Sequence, residues 1–104
     1  MSPHDWPAEY AALSERDRRA GGLRPQELER LSVAAFLLGH DDETTTLRER
    51  AYHAYLAGGD ISAAVRCAFW LGFHLQNRGD LARSSGWLST QQRLVAATDH
   101  KAPG

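Results

Sequence analysis

The apolar positions of this chain recur at helical spacing almost from end to end. Trp6, Tyr10 and Leu13 are spaced by four and three, so a first helix is expected from about Asp5 to Ala20. Asp5 can cap it, Pro7 suits its first turn, and Gly21-Gly22 stops it. Pro25 opens a second helix, with Glu27 in its first turn and Leu28, Leu31, Ala35 and Leu38 as its buried stripe. Gly39 ends that helix. Asp41-Asp42-Glu43 opens a third, where acids at a helix N-terminus stabilise the dipole rather than perform chemistry.

Thr44-Thr45-Thr46 is a poor helical tripeptide, and a short extended piece is the competing expectation there. Leu47, Ala51, Ala54 and Tyr55 follow at helical spacing, which favours continuing the third helix to Gly58-Gly59. Asp60 caps a fourth helix. Ala64, Cys67, Ala68, Leu71 and Leu75 mark one apolar face of it, and Phe69 and Phe73 mark another. A helix apolar on two faces is expected to lie between neighbours. Gly72 leaves room for a close helix approach. Gly79-Asp80 makes the next turn and caps a fifth helix, about Leu81 to Thr98. Its inward residues are expected to be Trp87, Leu88, Leu94 and Val95, and Ser84, Ser85, Ser89, Thr90, Gln91 and Gln92 make the rest polar. No alternating strand pattern of useful length occurs. The fold class expected is all-α, an antiparallel array of about five helices in hairpins. Residues 5–98 form one domain in this scheme, between a disordered N-terminus (1–4) and a disordered tail (99–104).

Composition narrows the function classes. At 104 residues the chain fits one small domain, and its formal net charge of −1 gives no global pull toward nucleic acid or an acidic membrane. No apolar run approaches the length of a membrane span, and the N-terminal residues lack a basic start and an apolar signal core. Cys67 is the only cysteine, so an intramolecular disulfide is excluded and a cytoplasmic, reducing location is expected. The basic residues are Arg except for Lys101, which together with the Ala and Gly content is consistent with a GC-rich bacterial coding sequence.

The segment Leu71-Gly72, Leu75, then Gly79-Asp80, followed by Ser84, Leu88 and Gln91, resembles a tetratricopeptide-type helical hairpin. The match is good through the first helix and turn. It weakens in the second helix, where Ser84 and Gln91 stand where the pattern has Ala. An upstream copy uses Leu31, Ser32, Gly39, Thr44 and Ala51, with the two turn glycines 40 residues apart. A wider resemblance, from about Trp6 to Leu94, rests on Leu28-Glu-Arg-Leu-Ser-Val-Ala-Ala-Phe-Leu-Leu-Gly39-His-Asp-Asp-Glu and on Cys67-Ala-Phe-Trp-Leu-Gly-Phe73. It is similar to the helical-repeat region of actinobacterial LuxR-type regulators. No helix-turn-helix segment follows Thr98, and there is no Walker-type glycine loop.

This resemblance implies a tetratricopeptide-like superhelix and a non-catalytic protein-interaction module, part of a bacterial transcriptional or signalling regulator. Its groove positions fall on Arg66, Phe69, Phe73, Gln76 and Asn77, with Gln26, Glu29, Val33, Phe36 and Leu37 from the upstream copy. Phe36, Phe69 and Phe73 would make an aromatic strip beside Arg66. Three expectations stand: the strip is a ligand groove, it is covered within the chain, or it meets a second copy. The alternative function is a small-molecule or peptide sensor using the same groove. Protein or peptide partners and a homodimer are expected, with no direct nucleic-acid or membrane contact.

Chemistry finds little support. Cys67 and His74 share a helical face, but two ligands are too few for zinc and a catalytic thiol must be accessible. A buried cysteine is the expectation. No Ser/His/Asp set can be assembled from spacing, so no catalytic residue, metal or cofactor is expected. Arg78-Gly79-Asp80 spells an adhesion tripeptide, yet it falls in the repeat turn. Arg16, Arg18, Arg19 and Arg24 cluster, but Glu15, Asp17 and Glu27 interleave with them and make a mixed solvated surface.

Overall fold

A computed structural model describes residues 5–20 and 22–101, without the side chains of 20 and 98–101. The described residues form five α-helices and no strand: α1 (Trp6–Ala20), α2 (Pro25–Leu37), α3 (Asp41–Ala57), α4 (Ile61–Asn77) and α5 (Leu81–Lys101). The all-α expectation holds. Of the disordered segments expected at 1–4 and 99–104, residues 1–4 and 102–104 lie outside the described residues. One boundary differs from the expectation: α5 runs through Thr98 to Lys101. Nothing in Thr98-Asp99-His100 breaks a helix, and proline comes only at Pro103. The chain divides into two compact units, Met1–Ala51 and Tyr52–Gly104, with the division inside α3.

In the first unit α1 and α2 pack as a hairpin. The Asp5 carboxylate accepts from the Ala8 backbone N–H at 3.1 Å, capping α1 as its sequence requires. The stripe of α2 is buried at Leu28, Leu31 and Ala35, while Leu38 is only partly covered. Ala34 and Ser32 complete the buried face, and the Ser32 hydroxyl donates to the Glu29 carbonyl at 2.7 Å. The threonine triplet of α3 is helical. Each hydroxyl donates to the carbonyl four residues back: Thr44 to His40 at 2.9 Å, Thr45 to Asp41 at 2.9 Å and Thr46 to Asp42 at 3.1 Å. These bonds satisfy the hydroxyls inside the helix, so burying Thr44 and Thr45 leaves no unmet polar group.

Ion pairs join the helices of this unit. Arg16 meets Glu27 at 2.7 Å, and Arg50 forks onto Asp17 with both contacts at 2.9 Å. Arg30 forks onto Glu9, one contact being 2.9 Å. Arg48 reaches Glu29 at 3.2 Å with side chains only 9% and 16% exposed. The interleaved Arg/Glu/Asp surface read near α1 is therefore a set of inter-helix ties and local pairs, Arg18 and Arg19 both meeting Glu15.

The second unit is held together differently. Asp60 caps α4 by accepting from the Ala63 N–H at 3.1 Å, and Asp80 caps α5 by accepting from Arg83 at 3.3 Å. All five residues expected on the inner face of α4 are buried, with Ala63 and Gly72 beside them. A Cβ on Gly72 would sit 2.6 Å from Leu88 Cδ2, so α4 and α5 approach more closely than any side chain there would allow. Ser84 is a correction to the polar-surface expectation for α5. It is buried, and its hydroxyl donates to the Gly72 carbonyl at 2.7 Å. Its small size permits the close crossing, and its one polar atom is satisfied there. Trp87 meets the buried Tyr52 edge-on, with ring centroids 4.9 Å apart.

The same turn recurs at 20-residue intervals. At Gly79 (φ 86°) the Asp80 N–H returns to the Leu75 carbonyl at 2.9 Å and the Gly79 N–H to Gln76 at 3.0 Å. This is the paired closure of a Schellman motif, whose left-handed residue strains any side chain. The turns at Gly39 (84°) and Gly59 (82°) have the same bonds at the same offsets. The Arg-Gly-Asp tripeptide is thus turn and cap machinery: its glycine supplies the turn and its aspartate caps α5.

Candidate functional site

The outward surface of α4 is built by helical periodicity. Arg66, Phe69, Trp70, Phe73, Gln76 and Asn77 follow one another by three, one, three, three and one residues, which keeps them on one strip. All six are exposed. Three are large apolar rings: Phe69 is 49% exposed, Trp70 42% and Phe73 45%. The second apolar face of α4, expected to lie against a neighbour, is therefore a correction. Its rings stand outside the buried core. They order one another instead. Phe69 and Phe73 are nearly parallel, with centroids 6.2 Å apart, and Trp70 meets Phe73 edge-on at 5.8 Å.

Arg66 stands one turn before the rings, with its guanidinium carbon 5.8 Å from the centre of the buried Tyr55 ring. That position holds the cation by its edge of the strip while leaving the residue exposed. No acid occurs anywhere from Ile61 to Asn77. Of the sequence-predicted residues, Arg66, Phe69, Phe73, Gln76 and Asn77 come together on this helix. Phe36 belongs to the first unit, where it is 47% exposed beside Leu37 at 52%. Trp70 was not among the expected groove residues, although it lies between Phe69 and Phe73 on the same strip. Its place four residues after Arg66 and three before Phe73 was the available signal.

Cys67 is fully buried, in accord with its expected role. Among the described residues, no three His, Cys, Asp or Glu side chains are grouped to hold a metal. No described helix is long and apolar enough to cross a membrane. An open depression on α5 is lined by Arg83, Gly86, Trp87 and Thr90, all from one helix. In the first unit Tyr10 stacks on His40 with centroids 5.1 Å apart and donates its hydroxyl to Glu43. That bond, with burial adding to it, raises the Tyr10 phenol above its ordinary range, so it stays protonated and structural.

Comparison with protein-family models, with characterised proteins and with solved structures gives no match to this chain.

Proposed function

We propose that this chain is a non-catalytic protein-interaction module of tetratricopeptide type, serving a bacterial transcriptional or signalling regulator in the cytoplasm. The observation that carries the proposal is the strip of three half-exposed rings on α4. Monomeric proteins seldom leave contiguous large apolar side chains in water unless another molecule uses them. The hairpin turns repeating at Gly39, Gly59 and Gly79 support the tetratricopeptide comparison, as does the close crossing at Gly72. The partner is a protein or peptide, and a homodimer is the first form expected.

Light scattering over a wide concentration range, on the wild type and on Phe73→Ala, tests the proposal. The wild-type mass should rise toward a dimer, and Phe73→Ala should stay monomeric with unchanged helicity. A wild type that remains monomeric, but is thermally stabilised by an added amphipathic peptide only while Phe73 is present, favours a peptide sensor. Indifference to Phe73 in both experiments removes the strip as a site.

A further inference from the structure

We draw no further inference here: the strongest candidate, the exposed strip of Phe69, Trp70 and Phe73 on α4, belongs to the site already described, and nothing in the structure shows what covers it.

Discussion

The two halves of the molecule solve the same problem with different materials. In Met1–Ala51, ion pairs tie different helices together, among them Arg16–Glu27, Arg30–Glu9, Arg48–Glu29 and Arg50–Asp17. In Tyr52–Gly104, α4 and α5 meet through small residues and apolar contacts, with Gly72 under Leu88 and the buried Ser84 hydroxyl on the Gly72 carbonyl. The difference teaches where specificity comes from in each half. Long charged side chains tolerate small changes of helix position, whereas a crossing with no room for a methyl group does not. The rigid crossing lies on the half that carries the ring strip, and it fixes the back of the helix whose front carries the exposed rings.

The largest expected break of this contrast is Leu71→Ala, which removes a side chain only 1% exposed from the α4 core. It should cost about 2–5 kcal/mol, seen as a lower denaturant midpoint. The deficit should be the same at low and high salt. Arg48→Ala attacks the other half by leaving the Glu29 carboxylate partly buried without this guanidinium. A loss of about 3 kcal/mol is expected. Arg48→Ala combined with Glu29→Gln should recover part of it. A double variant no better than the single one would show that the arginine stem, not the charge, carries the contact.

Gly72→Ala tests the crossing directly and should cost about 2–3 kcal/mol, because the new methyl meets Leu88 Cγ at 2.7 Å as well as its Cδ2 at 2.6 Å, so the whole side chain must move. The smallest effects per group come from titration. Hydrogen bonding to Arg50 lowers the Asp17 carboxyl below its usual range, and the Arg24 backbone N–H with Arg16 does the same for Glu27. A carboxyl depressed in the folded state adds stability that is complete above its unfolded value and is lost as pH falls through the folded one. Acid below about pH 4, the ordinary carboxylate range, should therefore raise amide exchange in α1 and α2 before it does so in α4. Equal loosening of both halves would show that these pairs contribute nothing particular to the first.

Much of the fold was legible because it is local. Gly39, Gly59 and Gly79 punctuate the chain, Asp5 and Asp60 cap their helices, and the inner face of α4 follows from periodicity alone. The threonine triplet was readable only as a tie between extended and helical, settled by hydroxyls that bond back within the helix. Ser84 was legible only in part. Its place three and four residues before Trp87 and Leu88 sets it apart from the exposed Ser85, but the carbonyl that satisfies its hydroxyl lies twelve residues away in another helix. The strip was legible as a set of residues, apart from Trp70. Its exposure was not, since apolar spacing says which residues share a face and is silent about what lies opposite.

The evenly spaced turns have a consequence for how such a chain changes in length. Helices α3 and α4 each hold 17 residues between turns of one type. One residue inserted inside α4 would rotate everything after it by about 100°, carrying Leu75 off the buried face and the Asn77 end off the strip. A whole helix-plus-turn step inserted at a glycine leaves every face intact. Gain and loss of sequence are therefore tolerated here in fixed portions, and the glycines mark the places where a portion begins and ends.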